Sequence, residues 1–399
     1  MAPEHGLVHL KEYDIKDSNV ELIGTEIDHK VKYASAASEP AWNDGVVGVS
    51  AGLLVWRIEQ FEVVAWPKDR YGTFYDGDSY IVLHSFKVGK EADAKLGHDV
   101  FFWLGAHTTQ DEAGTAAYKT VELDEFLGGA AVQHREIQES PSGAFLALFP
   151  RLTLRRGGAR SGFRHVEAQA AAEVTTLLRV FKQPGAAPGR DTVVVAEVDP
   201  TWRSLDEADV FVLDKGDKIW VWQGKKCSPM EKAKAAQVVH DMTLAKHVDV
   251  EVLAETESRS RLVVDMLGGK EDAPRDGFQK KRPVSSTSRA PASGRPRRLW
   301  RLSDASGKLS FDIVRDGEAI SEADLDGNDI FLLDDAGQEI WVWEGKGASR
   351  AERAKWLEVA QAYVRQVQGD NPEGQAYLTP IAKVHQGNES ASFWRAIKA

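Results

Sequence analysis

An aromatic–aliphatic run reaches a Trp three times in this chain, and each time a Glu follows nine residues later. The pairs are Trp103 and Glu112, Trp222 and Glu231, and Trp343 and Glu352. An Asp-led apolar run precedes each copy: Asp78 before Ser79-Tyr80, Asp209 before Val210-Phe211, and Asp329 before Ile330-Phe331. The Trp residues stand 119 and 121 positions apart (222−103 and 343−222). A period of that size marks a tandem domain rather than a solenoid unit, whose repeats run to roughly 20–50 residues.

The length agrees. At 399 residues the chain has room for about three domains of roughly 100–200 residues each. No apolar run approaches the roughly 20 residues that span a bilayer, so no transmembrane segment is expected. The start, MAPEHGLVHLKEYDIKD, lacks the basic and apolar regions of a signal peptide. Cys227 is the single cysteine, which cannot form an internal disulfide and suits a reducing compartment. The formal charge of −11 argues against general polyanion binding, and no nucleic-acid partner is expected. Local basic stretches do occur at 151–164 and 275–301.

The organisation reads as a polar N-terminal extension (1–50), a first domain (51–166), a second (167–270), a basic flexible linker (271–296) and a third domain (297–399). In the first domain, β-branched and aromatic runs predict strands at 53–58, 80–86 and 100–104, then a helix over 112–127 ending at Gly128-Gly129, then strands at 132–137 and 144–149. The second repeats the order, with strands at 177–181, 193–198, 210–213 and 219–222, a helix from Pro229, a strand at 248–253 and a short helix near 262–267. In the third, strands at 299–302, 330–333 and 340–343 lead to a helix from Arg350. Each unit is therefore α/β (α+β), a mixed central sheet between a long and a short helix.

The recurring Glu has a structural reading. Thr109, Ser228 and Ser349 stand three residues before Glu112, Glu231 and Glu352, the spacing of a capping box, and Pro229 suits a first helical position. The functional reading rests on the Asp recurring with the Glu. Calcium takes roughly 6–8 oxygen ligands from carboxylates and carbonyls, and an Asp at a strand start beside a Glu at a helix start could supply part of that set. The first helix also ends in Glu122, Asp124 and Glu125, where the macrodipole favours cations. Either a cation or a basic partner surface could compensate, and a solvated acidic face is the plain alternative.

Over roughly residues 40–399 the chain resembles the gelsolin/villin superfamily, in its three-domain severin, fragmin and macrophage-capping-protein type. YGTFYDGDSYIVL, HDVFFWLGAHTTQDEAGTAAYKTVELDEFLGGAAVQHREIQ and GGARSGFRHV carry the likeness most closely. The resemblance implies three tandem gelsolin-like domains and calcium as cofactor. Its ligands would be Gly77, Asp78, Glu112 and the Ala159 carbonyl in the first domain, Ala208, Asp209 and Glu231 in the second, and Asn328, Asp329 and Glu352 in the third. A further calcium, shared with actin, would use Asp124 and the carbonyls of Gly129 and Ala131. The first-domain helix, through Ala116, Ala117, Val121, Asp124 and Leu127, would enter the cleft at the barbed end of actin. Phosphatidylinositol bisphosphate would meet Arg151, Arg155, Arg156, Arg179 and Lys182. The disulfide of secreted relatives would fall at Val210 and Gln223 and is missing.

The resulting expectation is a monomeric, cytoplasmic, cytoskeletal protein that severs actin filaments and caps their barbed ends when calcium binds, with calcium opening a compact resting arrangement. It partners actin monomer and filament. No catalytic residues are assigned and no enzyme activity is expected. Capping without severing, or a calcium-binding scaffold that no longer binds actin, are the alternatives.

Overall fold

The computed structural model describes residues 36–88, 95–159, 175–183, 192–245, 247–275, 277–279, 296–368 and 379–398. The expectations for 1–35, for the stretch from 160 and for most of the linker lie outside them.

The first domain runs β1 (Gly52–Glu59), β2 (Glu62–Ala65), β3 (Thr73–Tyr75), β4 (Ser79–Lys87), β5 (Leu96–Leu104), α1 (Gln110–Phe126), β6 (Val132–Ile137), α2 (Gly143–Leu146) and β7 (Leu152–Arg155). The second runs β8 (Thr176–Gln183), β9 (Thr192–Val198), β10 (Val210–Asp214), β11 (Lys218–Gln223), α3 (Pro229–Ala245), β12 (Asp249–Ala254) and α4 (Arg261–Met266). The third runs β13 (Arg298–Ser303), β14 (Ser310–Asp316), β15 (Ile330–Asp334), β16 (Ile340–Glu344), α5 (Arg350–Gln368), β17 (Ile381–His385) and α6 (Ala391–Lys398).

The same five-strand order occurs in each: β6-β5-β4-β1-β2, β12-β11-β10-β8-β9 and β17-β16-β15-β13-β14. The two strands flanking each long helix are parallel, which a chain can achieve only through a crossover of about a dozen residues or more. The long helix covers one sheet face and the short helix the other. Ala116 and Leu123, Ala235 and Val238, and Ala360 and Val364 join the long-helix cores. Phe145 and Leu146, Val263 and Val264, and Phe393 and Ile397 join the opposite ones. Trp103, Trp222 and Trp343 all lie on the short-helix side, whereas the Glu nine residues on begins the long helix. The repeated spacing thus crosses from one face of the sheet to the other.

The domains also share sheets. β3 and β7 leave the first domain to extend the second domain's sheet through β9, giving the order β12-β11-β10-β8-β9-β7-β3. β17 pairs antiparallel with β6, Ile381 opposite Arg135 and Lys383 opposite Gln133, and fuses the first and third domains into ten strands.

Three expectations need correction. The segment 144–149 is not a strand: the Ser142 hydroxyl accepts from the Phe145 amide and starts α2, and Phe145, Leu146 and Phe149 are buried in the core. The linker does not begin at 271. Phe278 is buried against Trp222, ring centroids 5.6 Å apart, so the second domain's packing reaches that residue. Of the N-terminal extension, 36–50 is part of the first domain, with Ala36, Trp42 and Val47 buried in its long-helix core.

Candidate metal sites and the partner helix

Each recurring Asp is pinned beneath the start of a long helix by its own carbonyl. Gly105, Gly224 and Gly345, two residues after the repeated Trp, donate their amides to the carbonyls of Asp78, Asp209 and Asp329 at 3.0, 3.0 and 3.1 Å. A Cβ on any of the three would overlap a neighbouring backbone carbonyl, of Asp76, Glu207 or Gly327. Glycine is the residue that permits so close a backbone approach. The helix cap follows four residues later, which brings Asp and Glu to one place.

In the first domain Asp78 and Glu112 are both buried. Asp78 Oδ1 accepts from the Ala159 amide at 2.7 Å. Its Oδ2 faces the Tyr80 hydroxyl at 3.2 Å and the Arg57 guanidinium at 3.4 Å. Burial, with a smaller push from the Glu112 charge, raises the Asp78 carboxyl to about 6, against the pull of the Ala159 amide and Arg57. The Glu112 amide donates to the Thr109 cap, and its Oε2 accepts from the Thr108 hydroxyl at 3.2 Å. Its Oε1 is buried without a hydrogen-bond partner among the described residues. Gly77 and Gly158 crowd against this loop, and a Cβ on Gly158 would strike Asp78 Oδ1. Two buried carboxylates share one guanidinium, that of Arg57, which is itself shared with Glu59, so the site is short of positive charge. These residues fit a hard cation. Ala159 reaches Asp78 through its N–H in this arrangement.

The second and third sites are differently disposed. Glu231 Oε2 closes a capping box on the Ser228 amide at 2.7 Å, and Oε1 accepts from the Lys182 amide at 2.8 Å. Glu352 does the same with the amides of Ser349 at 3.0 Å and Asp304 at 2.9 Å. Asp209, wholly buried, meets Arg179 at 2.5 Å, and Asp329 lies 4.0 Å from Arg301. Ala208 and Asn328 precede these Asp residues in the chain, their amides held by Asp206 and Asp326. Among the described residues no three or more His, Cys, Asp or Glu side chains cluster as a metal cage. Each site therefore draws two carboxylates from the described residues.

The acids at the end of α1 find their partners inside the chain. Glu122 accepts from the Trp42 indole and from Lys119, both at 3.0 Å. Asp124 accepts from the Ala131 amide at 2.9 Å and the Gln133 amide group at 2.7 Å, and His385 of β17 stands 3.9 Å away. Burial raises the Asp124 carboxyl above the ordinary aspartate value. The electrostatic conflict expected at this helix end is thus relieved locally. Gly129 and Ala131 approach Asp124 through their amides, the former donating to its carbonyl at 2.8 Å.

Of the helix residues expected to meet a partner, Ala116 is fully buried in the core and cannot. Leu127 is partly buried in the same core. Ala117 and Val121 are half-buried, and Tyr118, which the sequence reading omitted, is 49% exposed between them. Its position one turn before Val121 was the available signal.

The basic residues expected at lipid are engaged elsewhere. Arg151, Arg155 and Arg156 pair with Asp241, Glu197 and Asp199 of the second domain at 2.6, 3.0 and 2.7 Å. Arg179 is buried on Asp209, which removes it from any lipid-facing set. Lys182 supports Glu231 through its backbone amide, its side chain half-buried. Among the described residues no helix is long and apolar enough to cross a membrane.

Residues 63–146, 191–260 and 317–394 match the gelsolin repeat. Gelsolin-like proteins 1 and 2 of Lumbricus terrestris are each 36% identical to the chain, over 99% of it and 99–100% of their own length. Severin of Echinococcus granulosus is 35% identical over 90% of this chain and 92% of its own. The chain belongs to the gelsolin family.

Proposed function

We propose that this chain is a calcium-regulated actin-binding protein that severs filaments and caps their barbed ends. The observation that carries this reading is the buried Asp–Glu pair beneath each long helix, with Glu112 Oε1 in the first left without a partner among the described residues. Asp78 and Glu112, with the carbonyls of Gly77 and Ala159, would hold a calcium ion in the first domain. Asp209 and Glu231, with Ala208, and Asp329 and Glu352, with Asn328, would do so in the others. A bound cation supplies positive charge between carboxylates that otherwise repel one another.

The α1 face of Ala117, Tyr118 and Val121 is the surface offered to an actin cleft, in the manner of a helix entering a groove. Asp124 is expected to join that contact, together with Gly129 and Ala131. In the arrangement observed, Asp124 is shut in by β17, so its use requires the β6–β17 seam to part. That is a population shift, and it needs tighter ligand binding to the parted state than to the closed one. Severing breaks contacts between subunits without covalent chemistry, so no enzyme activity is proposed. The names gelsolin and severin among the relatives support this reading, with cytoplasm and cytoskeleton as its location and a monomer as its form.

The test is dilution of pyrene-labelled filaments with substoichiometric protein, in calcium and in chelator. Severing accelerates depolymerisation in calcium, capping alone slows it, and a scaffold without actin binding leaves it unchanged. Loss of the calcium response in Asp78→Ala and Glu112→Ala ties it to the first site, and normal severing by both variants refutes that assignment.

A further inference from the structure

Arg57, Arg179 and Arg301 occupy the same place in the three domains. In the strand ladders Arg57 lies opposite Tyr80, Arg179 opposite Phe211 and Arg301 opposite Phe331. Each opposing aromatic stands two residues after the recurring Asp. The arginines themselves are 122 residues apart (179−57 and 301−179). Every one directs its guanidinium at that Asp, and the closeness is graded. Arg179 meets Asp209 at 2.5 Å, with 7% and 0% of the side chains exposed. Arg57 reaches Asp78 at 3.4 Å, is 18% exposed and is shared with Glu59. Arg301 stands 4.0 Å from Asp329 and is 46% exposed.

We propose that these three arginines are built-in counter-cations, each occupying the carboxylate that a calcium ion would need and so setting that domain's affinity for it. The inference rests on the calcium reading above and goes beyond it by naming what calcium must displace. A guanidinium and a divalent cation cannot both sit on one buried carboxylate without strong repulsion. The apparent affinity is then the intrinsic one reduced by the fraction of molecules in which the arginine has swung away. Arg179, doubly hydrogen-bonded and desolvated, is the strongest competitor, since charge-assisted pairs are strongest in that form. Arg301, largely in water, is the weakest, as exposed pairs contribute little.

The experiment is calorimetric titration of the full chain with calcium chloride. Arg179→Gln should tighten one site by roughly tenfold or more, Arg57→Gln by roughly threefold, and Arg301→Gln by less than about twofold. Glu231→Gln identifies the second site by deleting its heat. Arg179→Lys, which keeps the charge but not the forked pair of bonds, should fall between wild type and Arg179→Gln. Should Arg179→Gln be unfolded in chelator, calcium restores its melting transition if the proposal holds. The order of Arg57→Gln against Arg301→Gln tests the same grading at the two less buried positions. Unchanged or weaker binding in Arg179→Gln, with the Glu231→Gln site lost as expected, overturns the counter-cation proposal alone. Full binding retained in Glu231→Gln overturns instead the assignment of the second site on which it rests.

Discussion

His385 of β17 stands 3.9 Å from Asp124 in the last turn of α1, across the seam between the third and first domains. The same imidazole is 3.6 Å from Glu344 of β16, so one ring lies between two carboxylates from different domains. His385→Glu replaces it with a third anion, and like-charge juxtaposition of this kind costs on the order of several kcal/mol. The seam should loosen. Small-angle scattering in chelator should show a larger radius of gyration, with faster amide exchange over Val132–Ile137. An unchanged profile would mean that the backbone pairing of 381–383 with 133–135 holds the seam unaided.

The helix-start glutamates of the first two domains should respond differently to loss of charge. Glu231 has both oxygens bonded to backbone amides, of Ser228 and Lys182, so Glu231→Gln sets an NH2 group against one of them. Leaving a buried donor unsatisfied costs about 1–3 kcal/mol. Glu112 Oε1 has no such partner among the described residues, and Glu112→Gln removes a buried charge beside that of Asp78. In chelator, denaturant titration should show Glu231→Gln destabilised by that amount and Glu112→Gln unchanged or more stable. Equal losses in both would remove the distinction drawn between the sites.

These contrasts show where the sequence was readable. The repeat, the long helices and the two-faced cores follow from the Trp–Glu spacing, because one helical crossover between parallel strands serves all three domains. β3 and β7 were not legible: Thr73–Tyr75 and Leu152–Arg155 are three and four residues long and find their sheet in another domain. The lone basic residue inside an apolar run, as in LLVWRI, LLRV and LWRL, was a visible signal for the arginine set. It was masked because arginine and aspartate stand 21, 30 and 28 residues apart (78−57, 209−179, 329−301), a spacing that varies with the intervening segments. The acidic end of α1 was visible, as was Lys119 one turn before Glu122, but the donors Trp42 and Gln133 and the imidazole of His385 are brought there only by tertiary packing.

Arg155 and Arg156 join the first domain to Glu197 and Asp199 of the second through pairs that are substantially exposed. Such pairs are worth about 0–1 kcal/mol each, so Arg155→Gln with Arg156→Gln should barely move the denaturation midpoint. If an anionic headgroup competes for them, the double variant should lose cosedimentation with vesicles containing phosphatidylinositol bisphosphate, and added salt should weaken the wild type's binding. Undiminished cosedimentation would exclude these two residues from lipid contact.

Asp99 lies between two imidazoles, with His134 Nε2 3.5 Å from Oδ1 and His84 Nδ1 3.7 Å from Oδ2. Burial alone would raise its carboxyl, but the hydrogen bond from His134 and the nearby imidazoles of His134 and His84 hold it down to about 2. A depressed acid stabilises the fold above its unfolded value, near 3.9, and that contribution is lost as pH falls through the folded value. The shift corresponds to about 2 kcal/mol at most. His134 also stacks on Phe101 and meets the edge of Trp341 from the third domain, so this carboxylate steadies a residue of the seam. Asp99→Asn should therefore lower stability by about 2 kcal/mol near pH 5. The gap to the wild type should close between about pH 4 and pH 2, as Asp99 itself takes up a proton. Urea midpoints of the two proteins across that window check this. A gap that persists undiminished at the acid end would assign the loss to altered packing rather than to the carboxylate's charge.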